Sequence, residues 1–110
     1  MYELIPVGTK FFAIVDEELA PGLRKFHWQP KVFRRCVYAI TYIGEGEKRR
    51  RLNMHRWIAR TQFPNVCHHK NSNTLDNRRT NLENMSKREH NNLHANDRIL
   101  KQFEKTNTIK

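Results

Sequence analysis

Cysteine, acidic residues and long apolar segments are all scarce in this chain of 110 residues. The two cysteines, Cys36 and Cys67, lack paired C-x-x-C spacing, which argues against a disulfide framework and against a cysteine-rich zinc site. No apolar segment approaches the roughly 20 residues that a membrane-spanning helix requires. The first ten residues also lack the charged-then-apolar pattern of a signal peptide. We therefore expect a reduced protein that stays in the cytoplasm.

Negative charge is sparse as well. The chain has 21 Lys and Arg against 11 Asp and Glu, for a formal net charge of +10. The excess is concentrated between residues 48 and 101, where thirteen basic residues stand against four acidic ones. Nucleic acid is the favoured partner, because Lys and Arg release the counterions that condense on phosphates. An anionic membrane would favour a strongly apolar helical face, whereas Asn, His and Thr interrupt these basic stretches.

Residues 1–53 are predicted to be rich in β structure, within a chain whose length fits one folding unit. The residue pattern predicts strands over 2–7, 10–15 and 32–43. The turn GEGEK then joins the last of these to a strand over 48–54, which makes a β-hairpin. A helical turn is expected around 17–26, although proline and glycine interrupt it. We expect this antiparallel region to help position a DNA partner.

Residues 54–103 have a different pattern. A short helix is predicted to begin near Met54 and to end before Pro64. The segment 68–81 is almost devoid of apolar residues, so something other than a core must order it, and a metal ion is one candidate. A strand over 82–85 follows, and the S-x-x-E sequence beginning at Ser86 predicts the start of a helix. The polar tail, 104–110, is expected to fray.

Four of the six histidines lie between His68 and His94. His90 and His94 are four residues apart on the predicted helix, so both imidazoles project from one face. Two such histidines can share an ion with a third ligand from the preceding arm and leave a position open for water or phosphate. His68 and His69 are neighbours on an extended segment and face opposite ways. One can bind the ion while the other takes a proton from water.

These residues resemble the HNH endonucleases, also called ββα-metal nucleases, and in particular the small phage and intron-encoded homing endonucleases. The resemblance rests on the order His68-His69, Asn81-Leu82 and Glu89-His90, and on the stretch LDNRRTNL over 75–82. Upstream, YELIPVGTKFFAIVDEE, FHW and NMHRWIA are similar to the region preceding the motif in phage members. The resemblance implies an α+β fold, with an N-terminal antiparallel β region followed by a ββα-metal core over 54–103. It also implies metal-dependent hydrolysis of double-stranded DNA, by nicking or double-strand cleavage, in the host cytoplasm if the protein is phage-encoded.

The resemblance further implies roles for individual residues. His69 corresponds to the general base, His68 and His90 to metal ligands, and Asn81 to a residue that braces the loop. His94 fits the third imidazole of the bacterial toxin nucleases. Many homing members carry Asp and Asn as ligands, which favour Mg²⁺, whereas an all-imidazole shell accepts Zn²⁺, Ni²⁺ or Mn²⁺ more readily. One divalent ion is expected, with Mg²⁺ as the first candidate and Mn²⁺, Ni²⁺ and Zn²⁺ as alternatives.

Basic side chains beside the motif are candidates for phosphate contacts. They are Arg49, Arg50, Arg51, Lys70, Arg78 and Arg79. An arginine run is usually a solvated strand face, and Asp76 can simply pair with a neighbouring arginine. Asn77 and Asn81 can cap turns. The aromatic residues His27, Trp28, His55 and Trp57 are expected to pack, because nothing near them completes a site.

Two other functions fit the same residues. The first is a DNA-binding module whose metal only orders the polar loop inside a closed four-ligand shell. His69 favours the enzyme, because a structural site does not need that imidazole. The second is an RNA-binding or ribosome-associated basic protein. It is disfavoured because no aromatic-rich strand of the single-strand-stacking type is present. The sequence does not distinguish a monomer from a dimer.

Overall fold

The computed structural model describes residues 1–92, which form a mixed architecture of mostly antiparallel strands with few helices. Three small sheets follow one another along the chain. The first pairs β1 (Tyr2–Val7) with β2 (Phe11–Asp16), and the second has the order β3 (Gln29–Phe33), β4 (Cys36–Ile43), β5 (Arg50–Asn53). The third pairs β6 (Val66–His69) with β7 (Leu82–Met85). Helix α1 (Ala20–Leu23) follows β2, helix α2 (Met54–Ala59) follows β5, and a further helix, α3, starts at residue 87.

The hydrophobic core lies mainly between the first sheet, α1 and β4. Alternate residues of β1 and β2 point inward, and Ile5, Val7 and Val15 are at most 1 % exposed. This is the period-two pattern of strands with one buried face. Trp28 closes the core, and its indole Nε1 donates to the Leu23 carbonyl at 2.8 Å. Met54, the first residue of α2, is also completely buried, so the core anchors the N-terminal end of that helix.

The second sheet corrects one prediction. The segment predicted as a continuous strand over 32–43 is a hairpin, because Arg34 and Arg35 have φ values of 49° and 69° and turn the chain back. Val32 therefore pairs with Val37 instead of preceding it in one strand. Two consecutive left-handed residues make a tight hairpin turn, but arginine is rarely found there, so the sequence carried no turn signal. The hairpin predicted at GEGEK is confirmed, with β4 antiparallel to β5.

The polar segment after β6 is ordered by the protein's own groups. His68 and His69 belong to β6, so the loop begins at Lys70 and not at His68. Its far end lies against β2, where the Ile14 amide donates to the Leu75 carbonyl at 2.8 Å and the Asn77 amide donates to the Ile14 carbonyl at 2.7 Å. The first sheet thus holds the loop that follows the paired histidines.

The start of α3 is confirmed as predicted. The Ser86 hydroxyl accepts a hydrogen bond from the Glu89 amide at 3.1 Å, which is the N-cap arrangement. The His90 amide donates to the Ser86 carbonyl at 3.0 Å and completes the first helical turn. His94, the remainder of this predicted helix and the tail lie outside the described residues. Within residues 1–92, every helix falls short of the length and apolarity needed to cross a membrane.

Candidate active site

Strand β6 separates its two neighbouring histidines. His69 is 5 % exposed and points towards the second sheet and α2, whereas His68 is half-buried. Successive side chains of a strand point to opposite faces, so this separation follows from the extended backbone. The division of roles expected from sequence, with one imidazole as ligand and the other as base, has the backbone geometry it requires.

His68 and His90 come together across the β6–β7 hairpin and the first turn of α3. Their ring centroids are 5.6 Å apart, with the rings at 68° to each other. Two imidazoles bound to one tetrahedral ion, with metal–nitrogen bonds of about 2.0–2.1 Å, have centroids roughly 5 Å apart. The separation of the pair is close to this value.

The remaining ligand positions are not filled by the residues that the structure describes. Within 1–92, no group of three or more His, Cys, Asp or Glu side chains converges as it would around an ion. The third imidazole expected from sequence, His94, lies outside this range.

His69 is held by a hydrogen bond from its ring to Asn77. The His69 Nε2 and the Asn77 Oδ1 are 2.8 Å apart. Because an amide oxygen only accepts, Nε2 carries the proton and Nδ1 retains its lone pair. Asn77 is completely buried, and its backbone amide is fixed by β2, so it holds the imidazole in one tautomer. The ring of His69 is therefore set up to accept a proton at Nδ1.

Aromatic rings surround the other side of His69. The centroid of the His55 ring is 5.1 Å from that of His69, and the Tyr38 ring lies 6.2 Å from it. Burial lowers the pKa of His69 below its usual 6.5, while the hydrogen bond that its ring donates to Asn77 partly opposes this effect. Burial, and then the neighbouring His69, lower the pKa of His55 to about 3. Both imidazoles are thus favoured in their neutral forms at neutral pH, as a proton acceptor must be.

Asn81 braces the loop between the two strands, as the resemblance implies. Its side-chain amide donates to the Asp76 carbonyl at 2.8 Å, and its Oδ1 accepts from the Asn71 amide at 3.0 Å. The Asn81 carbonyl also accepts from the Lys70 amide at 2.8 Å. These bonds tie the beginning of the loop to its end, directly beside His69.

Asp76 is the charged centre of the same loop. It is 1 % exposed, and its carboxylate accepts two hydrogen bonds from the Arg78 guanidinium at 2.8 Å and 2.7 Å. A third comes from the Asn71 side-chain amide at 2.8 Å. The hydrogen bonds from Arg78 lower the pKa of Asp76, against the effect of burial. The expectation that Asp76 pairs with a neighbouring arginine is confirmed.

The six basic residues predicted to contact DNA occupy different environments. Arg50, Arg51 and Lys70 are exposed. Arg49 stacks over the Tyr42 ring at 4.5 Å, and Arg79 forms an ion pair with Glu18 at 3.1 Å. Arg78 forms an ion pair with Asp76 and so supports the loop.

Two residues of this site were not selected from the sequence. Asn77 was interpreted only as a turn residue, and His55 only as a packing residue. His55 does pack, since its ring lies 5.5 Å from that of Tyr38, but its second neighbour is His69. The position of Asn77 within LDNRRTNL was the available signal for a role beside the histidines. Nothing in the sequence placed His55 against residue 69, because the two are brought together by the packing of α2 on β6.

Cys36 and Cys67 are free thiols, as expected. Cys67 precedes His68 in β6, and its thiol donates to the His55 carbonyl at 3.8 Å. It therefore helps to join α2 to β6.

Comparisons of the chain with protein-family models, with curated proteins and with solved structures find no match, so the functional assignment depends on the geometry of this site.

Proposed function

We propose that this protein is a metal-dependent DNA endonuclease of the HNH type, with a ββα-metal core formed by β6, β7 and α3. The observation that carries the proposal is the placement of His68 against His90, with His69 beside them in a fixed tautomer. A surface of high positive charge supports DNA as the substrate.

The residues of this chain account for the activation of the attacking water. His69 Nδ1 accepts a proton from a water molecule, and the resulting hydroxide attacks a backbone phosphorus. Asn77 keeps Nδ1 unprotonated and oriented by holding Nε2–H. His68 and His90 would hold a divalent cation, which supplies stabilisation of the charge that develops on the phosphate and the departing oxygen. Asn81 keeps the loop, and with it Asn77, in place.

The first test is cleavage of supercoiled plasmid by the purified full chain with Mg²⁺, Mn²⁺, Ni²⁺ and Zn²⁺ added separately. Nicked, linear and unchanged plasmid separate on one gel, so the same experiment distinguishes a nickase from a double-strand nuclease. His69→Ala should lower the cleavage rate at least roughly a hundredfold, because it removes the general base. His27→Ala removes an exposed imidazole far along the chain from the site and is the matched control.

Binding measurements separate the enzyme from the alternative of a DNA-binding module with a structural metal. For an enzyme, His69→Ala should retain both DNA binding and metal binding while losing cleavage. His68→Ala should weaken the binding of the active ion, measured by titration calorimetry, and should lose cleavage as well. A wild-type chain that binds metal and DNA but leaves plasmid intact with all four ions would support the module and contradict the nuclease.

A further inference from the structure

A second basic surface lies along β5 and α2. A concavity of about 800 Å³ is lined by residues of β5, α2, the segment after α2, and the turn that precedes β7. Five arginines line it, and no Asp or Glu within residues 1–92 does. They are Arg50, Arg51, Arg56, Arg60 and Arg79. We call this surface the arginine concavity.

Two of these arginines lie at the end of α2. Arg56 is in its last turn, and Arg60 follows the helix as its C-cap residue, exposed and in the left-handed conformation with φ of 54°. Trp57 lies between them and is 42 % exposed, whereas the other tryptophan, Trp28, is 2 % exposed. The DNA contacts expected from the sequence include Arg50, Arg51 and Arg79 but neither Arg56 nor Arg60.

The arginine concavity shares lining residues with a second groove that reaches the candidate active site. That groove, of about 620 Å³, is lined by His55 and His90 and also by Lys31 and Tyr38. Arg51, Asn53 and Arg56 line both depressions and so form their shared wall. Arg51 and Arg56 therefore lie within reach both of a backbone that passes His90 and of one in the arginine concavity.

Charge and shape together indicate the occupant. Several guanidinium groups without a carboxylate on the lining repel one another unless an anion neutralises them. Arg79 is partly neutralised by Glu18, but no such ion pair is found for Arg50 or Arg60 among the described residues. Spaced guanidinium groups along an open depression match the repeated charge of a phosphodiester backbone.

We propose that the arginine concavity binds the phosphodiester backbone of duplex DNA away from the bond that is cut. The inference rests on the proposed nuclease function, which it extends by a second contact region. This surface anchors the duplex and sets its direction over the site, while the groove beside His90 receives the scissile phosphate.

The test compares the salt dependence of duplex binding in two variants of equal net charge. Arg50→Gln combined with Arg60→Gln removes two charges from the concavity. Lys10→Gln combined with Lys25→Gln removes two exposed charges from outside both depressions. Binding of the full chain to a short duplex is measured over a series of salt concentrations without added divalent ion, so that the DNA stays intact. Far-UV circular dichroism confirms that each variant is folded.

If the inference is right, the arginine variant loses two phosphate contacts. The slope of log K against log salt concentration should then become shallower by about 1.8, since each phosphate contributes about 0.9. The lysine variant should keep the wild-type slope. Equal slopes in the two variants would overturn the inference.

Trp57 provides an independent readout inside the concavity. Duplex binding should change the tryptophan emission of the wild-type chain, and Trp57→Phe should abolish that change, since Trp28 is buried. An unchanged signal in Trp57→Phe would count against occupancy of this surface. Tighter, Trp57-dependent binding of single-stranded DNA would assign the concavity to stacked bases instead of a duplex backbone.

The two proposals fail separately. A chain that cleaves plasmid but gives equal slopes retains the nuclease function and loses the arginine concavity as a DNA contact. A chain that shows the expected slopes and leaves plasmid intact with every ion retains the DNA contact and loses the nuclease function.

Discussion

His55→Phe should make the folding stability less sensitive to acid. In the folded protein His55 is 9 % exposed, its Nδ1 has no hydrogen-bond partner among the described residues, and its pKa is lowered to about 3. In the unfolded chain the same imidazole titrates near 6.5. The unfolded state therefore binds a proton at His55 that the folded state does not bind. The contribution of neutral His55 to the free energy of unfolding is complete above its unfolded-state pKa, and it is lost as the pH falls towards its folded-state pKa.

The size of the effect follows from these two pKa values. Between about pH 7 and pH 5, protonation of the unfolded imidazole lowers the free energy of unfolding by about 2 kcal/mol. The figure changes little for any folded-state pKa below about 4, because His55 then stays neutral in the folded protein over the whole interval. Phenylalanine keeps an aromatic ring against Tyr38 and His69 and does not titrate.

Urea unfolding of the wild-type chain and of His55→Phe at several pH values measures this difference. Carboxylates such as Asp76 are present in both proteins, so the difference between their pH profiles isolates residue 55. Between about pH 7 and pH 5, the free energy of unfolding of the wild-type chain should fall by about 2 kcal/mol more than that of the variant. Parallel profiles would show that His55 is not buried in its neutral form and would refute the packing described for α2 on β6.

Three further substitutions examine the loop and the helix beside the site. Asn81→Ala should lower the free energy of unfolding by about 2–4 kcal/mol, because it strips partners from the buried Asp76 carbonyl and from the Asn71 amide; a loss near zero in urea unfolding would contradict the bracing role. Asn77→Ala should slow cleavage roughly tenfold to a hundredfold while DNA affinity stays the same, because His69 is released from one tautomer. Unchanged single-turnover rates would exclude Asn77 as a positioning residue. Ser86→Ala should destabilise the start of α3 by about 1 kcal/mol, seen as a loss of ellipticity at the helix band, with Thr at this position restoring it.

Much of the local structure was predictable from the sequence. The alternation in Tyr2–Val7 and the S-x-x-E sequence at Ser86 each specify a structure through contacts within a few residues, and both predictions are confirmed. The turn at Arg34 and Arg35 was missed because residue type is a poor guide where tertiary packing selects a left-handed conformation. The sequence predicted that the polar loop needs a partner to order it, but not that this partner is Ile14, some sixty residues earlier.

The candidate site also has features that the sequence predicts and features that depend on tertiary packing. The order of the histidines predicts which imidazoles lie near one another, and the structure brings His68 and His90 together. The residues that set the environment of His69 were not predictable as such. Burial by His55 and Tyr38 depends on how α2 and β4 pack on β6, and short-range spacing contains no information on that packing.

Through its two backbone hydrogen bonds to the loop, Ile14 in the first sheet supports His69, which lies 55 residues later in the chain. Any shortened version that starts at α2 would leave the Leu75 carbonyl and the Asn77 amide without those partners. Asn77 would then lose its fixed position, and the His69 ring that it holds would lose its orientation. A fragment that keeps this arrangement must therefore retain β2, whose Asp16 carboxylate also accepts a hydrogen bond from the Arg79 amide at 2.9 Å.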